Sequence, residues 1–392
     1  MKKKNIKNTN LLLVTTLGFA LGMRQMAMTM VMPFISTYSK QLKYYTPVLA
    51  GVALGIFGLM QAVFQIFYGI WSDKQGNKRV MLCGLMQVVI GLVIAHFADN
   101  IYALIFARAM QGSGAVIAVG YSWVSGVCTN SKERLKSLSI ISMMVSGAAA
   151  ASFALGSIIN KFVSVENMFM YSAVLILGAS IVIAVFLKDN KNVNNNNIST
   201  KHVMKILIKD KCFDALNIAG LLNNFIMTGV FFCIPQYLEN ITGLDGMWKV
   251  FMPSVIIAII VIQNVVKKCD NVKSIKFLII NFILTAVGVL FYLNKSSLIL
   301  ILIGTMLFMS GYIGISTVLS NLGNDLLANE YRGAGNGILN SVQYIGSFIG
   351  SLVVAKIWSI SEIYSFIVLC IAGIAGAVIV KTYVKKERFN ER

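Results

Sequence analysis

No carboxylate lies in the middle of any long apolar run of this 392-residue chain. All fifteen acids sit in polar loops, in tails or at the ends of apolar runs. Charged residues make up only 12% of the chain, against roughly 25% in a soluble globular domain. With 57% hydrophobic residues and a mean hydropathy of +0.75, the chain reads as a polytopic membrane protein. Other absences narrow the class further. The six cysteines are scattered and form no C-x-x-C, which argues against a disulfide framework or a structural zinc site. There is no G-x-x-x-x-G-K-[ST], so the chain has no ATP-binding loop of its own. No cofactor, metal or catalytic constellation is indicated, and the chain does not read as an enzyme. The apolar runs lack the two-residue alternation of barrel strands, so an all-α membrane protein is expected.

What is present is a series of apolar runs of about 20 residues, each long enough to cross a bilayer as a helix. Polar clusters near 36–46, 72–78, 98–100, 129–136, 161–166, 188–211, 238–247, 267–275, 294–297, 322–332 and 358–361 separate them into twelve expected spans. The opening "MKKKNIKNTN" precedes an apolar run too long for a cleaved signal, so a retained first span is expected. The net charge of +19 would suggest nucleic acid in a soluble protein. Here it reports topology. Of 34 lysines and arginines, 26 fall on the side of the termini and six on the other; Arg24 and Arg108 lie inside apolar runs. The positive-inside rule then predicts cytoplasmic termini in a bacterial inner membrane, with no nucleic-acid partner.

The chain also repeats itself. Pro33 and Pro47 bracket the first connection, and Pro235 and Pro253 bracket the seventh. "SFALGS" at 152–157 is answered by "SFIGS" at 347–351, and Asp73 by Asp270. Two six-helix halves follow, expected at 1–187 and 212–392. Residues 188–211, which contain Asn194 to Asn197, are expected to form a polar linker. Two similar halves in one membrane suggest a carrier that works by alternating access.

Specific motifs agree. "GIWSDKQGNKR" at 69–79, between the second and third spans, resembles the G-x-x-x-D-[RK]-x-G-[RK]-[RK] signature of the major facilitator superfamily. "RAMQGSGA" at 108–115 is similar to that superfamily's R-x-x-Q-G-x-G-A in the fourth span. Together with "MRQMAMTMVMPFI" and "RGAGNGILNSVQYIGSFIGS", they resemble the YajR-like branch, grouped with drug:proton antiporters. The resemblance implies two pseudo-symmetric six-helix bundles, a small-molecule substrate, possible proton coupling and a monomeric carrier in the bilayer. It also implies that Gly69, Asp73, Gly76, Lys78 and Arg79 form a conformational latch, with Asp73 facing the start of the eleventh span. The plain alternative is a solvated loop in which Asp73 caps the next helix. The pattern is incomplete, because Asn77 stands where a base is expected and Gly126 where the branch carries an acid.

Arg24 and Arg108 are the main intramembrane charges, and such residues point to function. The resemblance places their spans along a central cavity, with Gln111, Gly112, Asn223, Asn340, Gln343 and Tyr344 as further cavity or coupling candidates. Arginines that merely bond backbone carbonyls or glutamine side chains are the structural alternative. The methionines between Met23 and Met32 suit either an adaptable surface or ordinary packing. With no embedded acid, the candidate proton carriers are Asp73, Asp214 and His96, or a proton on the substrate itself. The resemblance implies export of a small organic compound by proton antiport, although no residue of the apolar runs supplies a titrating carboxylate for it. Two alternatives remain open: an anion facilitator or exchanger using Arg24 and Arg108, and a transporter-like sensor.

Overall fold

The computed structural model describes residues 2–128, 131–189, 210–266, 271–327 and 332–384. They are almost wholly helical, with no strand among them. Eleven helical stretches are long and apolar enough to span a membrane, and the shorter apolar stretch Trp248–Val261 provides a twelfth. Helix is the expected solution, because a single span in lipid must satisfy its own backbone.

The first span is α1 (Lys2–Met30), a 3₁₀ turn at Met32–Phe34 and α2 (Ile35–Ser39). The second and third are α3 (Pro47–Gln75) and α4 (Asn77–His96). The fourth is broken into α5 (Ile101–Ser113) and α6 (Ile117–Val127). The fifth and sixth are α7 (Ser131–Ile159) and α8 (Val165–Phe186). Then come α9 (Lys211–Thr242), α10 (Trp248–Val266), α11 (Asn271–Leu290), α12 (Leu298–Leu326), α13 (Arg332–Trp358) and α14 (Glu362–Tyr383). Short polar side chains set several starts: Asn100, Ser164, Asp210 and Ser297 each accept a backbone N–H of the first turn that follows. Most of the segment expected as a linker lies outside the described residues.

The chain divides into two compact units. One holds Met1–Met32, Leu42–Tyr44 and Met60–Asn196; the other holds Pro33–Gln41, Tyr45–Leu59 and Asn197–Arg392. In the first, α1 packs on α7 and α8, and α4 packs on α5 and α8. In the second, α9 packs on α13 and α14, and α11 packs on α12 and α14. These are the same pairings shifted by six spans. The repeated glycines explain part of the match. A Cβ at Gly156 of α7 would stand 2.5 Å from the Met30 carbonyl of α1, and one at Gly350 of α13 would collide with the Phe225 carbonyl of α9. Small residues permit this approach, since helices in lipid gain by close packing rather than by hydrophobic burial. At Gly147 of the same helix no described atom lies within 4 Å of the Cβ position.

The proline repeat is less regular than the sequence suggests. Pro33 falls in the 3₁₀ turn that interrupts the first span, whereas Pro235 lies inside the continuous helix α9. A proline deprives the carbonyl four residues earlier of its donor. Here that carbonyl belongs to Phe231, and it accepts a long hydrogen bond from Ser36 Oγ at 3.5 Å. Pro253 also lies within its helix rather than opening it.

Candidate functional site

The fourth span breaks in its motif. After Ser113 the chain makes two tight turns: Ala115 N–H donates to the Ser113 carbonyl (2.9 Å) and Val116 N–H to the Gly114 carbonyl (3.0 Å). Gly114 has φ −75° and ψ 52°, close to an inverse γ-turn. Gly112 and Gly114 weaken the helix at this point. Helical carbonyls are left over at such a break, and side chains supply donors. Ser113 Oγ donates to Ala109 O (2.8 Å) and Met110 O (3.2 Å). Arg24 of α1 donates its Nε–H to the Gly114 carbonyl at 3.1 Å and Nη2 to Gln61 Oε1 of α3 at 3.4 Å.

Arg108 sits two turns earlier. Its Nη1 donates to Gln111 Oε1 at 2.8 Å, and Gln111 Nε2 donates to the Gly91 carbonyl of α4 at 3.1 Å. A third connection runs from Tyr68 OH to Gln87 Oε1 (2.5 Å), then from Gln87 Nε2 to Ser113 Oγ (2.7 Å). Three other spans thus converge on residues 108–114. The first unit keeps irregular backbone at membrane depth only because amides and guanidinium groups bond it. Arg24 and Arg108 are 0% and 1% exposed, so both charges are packed inside this unit. Gly112 is buried beside them.

The motif at 69–79 is also reshaped. α3 runs through Asp73 to Gln75, and the connection shrinks to Gly76. Its φ of +91° is a conformation that favours glycine. The Asp73 side chain and residues 328–331 lie outside the described set, so the latch contact expected there is not described. Gly69 has no described atom within 4 Å of its Cβ position. Among the described residues, the carboxylate of Asp189 stands at the start of α4, where it accepts Lys78 N–H at 3.2 Å and lies against Gly76. In return, Lys78 Nζ donates to the Ala184 and Leu187 carbonyls at the end of α8, at 2.7 and 2.6 Å. Each side chain caps the other's helix, matching the dipole at both ends. Arg79 is exposed and reaches Gln75 Oε1 at 3.5 Å. Asp189 was not legible as a partner, because it lies 111 residues from Lys78.

In the second unit, Asn223 of α9 donates Nδ2 to Ser316 Oγ (3.0 Å) and to the Tyr312 carbonyl (3.4 Å) of α12. Gln343 of α13 packs over Gly220, one turn from Asn223. Gln343, Tyr344 and Asn340 are all half-buried. Among the other proton candidates, His96 Nδ1 meets the Glu166 carbonyl at 2.9 Å, near the end of the third span. Met28 and Met30 are buried while Met23, Met26 and Met32 are half-buried, so the methionines do not share one exposed surface.

Residues 17–351 match the family pattern described as Major Facilitator Superfamily. The chain belongs to that superfamily. The inner membrane transport protein YajR of Escherichia coli is 28% identical over 345 residues, covering 85% of this chain and 74% of that protein. Multidrug resistance protein D of E. coli is 35% identical over a shorter stretch of 111 residues, 28% of this chain and 27% of that protein. The crystal structure of the human organic anion transporter MFSD10 superposes with a TM-score of 0.70, covering 95% of this chain and 99% of that one at 14% identity. The chain therefore has the twelve-helix fold of the major facilitator superfamily and is a multi-pass membrane transporter.

Proposed function

We propose that this transporter exports a small organic compound across a bacterial inner membrane by alternating access, in exchange for protons, with both termini in the cytoplasm. The observation that carries the reading is the broken fourth span bonded by Arg24, Gln87 and Gln111. Broken helices at membrane depth accompany transport pathways. The direction of transport is supported by the likeness to Multidrug resistance protein D. Asp73 is the latch of the cycle. It stands in the last turn of α3, where a carboxylate opposes the helix dipole and gains from an external partner. A second reading is favoured by one observation: two fully buried arginines in a chain with no mid-membrane acid suit an anionic solute carried by facilitated diffusion or exchange.

Purified protein in liposomes with an imposed pH gradient separates the two readings. Ethidium and nitrate serve as probe solutes, with a trapped pH dye reporting proton flux. The first reading expects ethidium accumulation that collapses with the gradient and moves protons. Equal accumulation with and without the gradient removes proton antiport. Nitrate flux that ignores the gradient and is lost in Arg108→Ala establishes the second reading. Full transport with an unchanged conformational balance in Asp73→Asn removes the latch.

A further inference from the structure

In the second unit two buried amide oxygens of α9, those of Asn217 and Asn223, have no partner among the described residues, and Asn223 is the more deeply buried. Asn223 is 1% exposed, and its Oδ1 has no hydrogen-bond partner among the described residues. The orientation of this amide is fixed by chemistry. The Tyr312 backbone carbonyl can only accept, so the nitrogen must face it, and Ser316 Oγ holds the same nitrogen. The oxygen therefore faces away from α12. A buried carbonyl without a donor is costly, and such orphans call for an explanation. Asn223 is the thirteenth residue of α9, roughly 18 Å along the helix from its start and therefore deep in the membrane.

The surroundings define what would satisfy it. Tyr312 is half-buried and its ring lies parallel to Phe308, with an interplanar angle of 17° and centroids 6.1 Å apart. Gln343 brings a second amide beside Gly220, one turn from Asn223. The charged residues of α9, α12 and α13 lie only near the helix ends: Lys211, Asp214, Glu239, Asp325, Arg332 and Lys356. On these three helices neither an ammonium nor a carboxylate would find a counter-charge at the depth of Asn223, and an unpaired charge there is costly.

We infer that Asn223, anchored by Tyr312 and Ser316, forms an acceptor subsite for an uncharged, flat organic solute carrying one N–H or O–H donor. The donor bonds Asn223 Oδ1 on the side of α9 away from α12. The inference rests on the transport reading and narrows its substrate class.

The test compares 7-hydroxycoumarin with 7-methoxycoumarin at pH 6, where both are neutral. Methylation removes the donor and keeps the ring. Fluorescence titration of the full chain in lipid nanodiscs is expected to show the hydroxy compound binding at least tenfold tighter. Asn223→Leu should reduce that ratio to about one while leaving methoxy binding in place, which shows that the variant is folded. Ser316→Ala, which frees the amide to turn, should lower the ratio part-way. A wild-type ratio near one, no saturable binding of either compound, or an unchanged ratio in Asn223→Leu overturns the subsite. Donor-selective binding alongside liposomes that move no solute would instead remove the transport reading and leave the subsite standing.

Discussion

Arg24 and Asn223 show how differently a buried polar residue can stand in lipid. Arg24 supplies donors to Gly114 O and Gln61 Oε1. Arg24→Leu leaves both acceptors without those donors, at about 1–3 kcal/mol each. Thermal unfolding in detergent is expected to show a clear loss, and Arg24→Lys, with one compact donor group, should fall between. At Gly76 the expected effect comes from backbone. Gly76→Ala forces a side chain into φ +91° and into the Asp189 carboxylate, so it should destabilise by more than about 1 kcal/mol. Asp189→Ala, which removes the cap, should cost about 1 kcal/mol. A third case lies in the loops. The Asp99 carboxyl is held below its usual 3.8, first by the Asn100 side chain, with Lys43 adding to the effect. A lowered carboxylate contributes above the usual value and loses its contribution as pH falls through the lowered one. Protection of the Ile101 amide, which donates to the Lys43 carbonyl, should therefore hold from neutral pH to about pH 4 and fall below that. Hydrogen exchange, corrected for intrinsic rates, checks this, and Asp99→Asn should remove the transition.

At the scale of elements, the contact between α9 and α13 is the sharpest case. Gly346 and Gly350 lie against the Leu221 and Phe225 carbonyls, four residues apart on each helix. No side chain fits between a helix and a facing backbone at that distance. Gly346→Val is expected to cost at least the roughly 1–3 kcal/mol of an overpacked core. Gly147→Ala is the control: its Cβ position is open, and alanine should be neutral or stabilising by up to about 1 kcal/mol. Paired melting curves decide whether this glycine spacing reports packing or only composition. Spacing along one helix does not say which face meets another, so the sequence by itself does not separate Gly346 from Gly147. The break in the fourth span was half-legible in the same way. Gly112 and Gly114 stood in the motif, but the donor that stabilises the break comes from residue 24, 90 positions away.

At the scale of the molecule, segments of the first sequence half belong to the second compact unit. Within that unit Lys40 Nζ lies 2.8 Å from Glu239 Oε2, with side chains 33% and 26% exposed. A part-exposed pair of this kind contributes at most about 1 kcal/mol. Lys40→Glu should therefore leave folding nearly intact. If the pair opens and closes during the cycle, that variant slows transport in liposomes and Lys40→Glu with Glu239→Lys restores it; an unchanged rate in both assigns the pair to local structure. The family, the all-helical fold, the number of spans and the repeat by six were written in the sequence. They follow from local quantities: the length of apolar runs, the placing of polar clusters and two contiguous motifs. Tertiary structure alone decided that Asp189 stands at the start of α4, and that Pro235 stays inside its helix. It also decided that Asn223 turns its oxygen away from α12. Each of these depends on which donor or acceptor a neighbouring span brings within about 3 Å. Hydropathy fixes where a helix crosses the membrane, but not its rotation about its own axis.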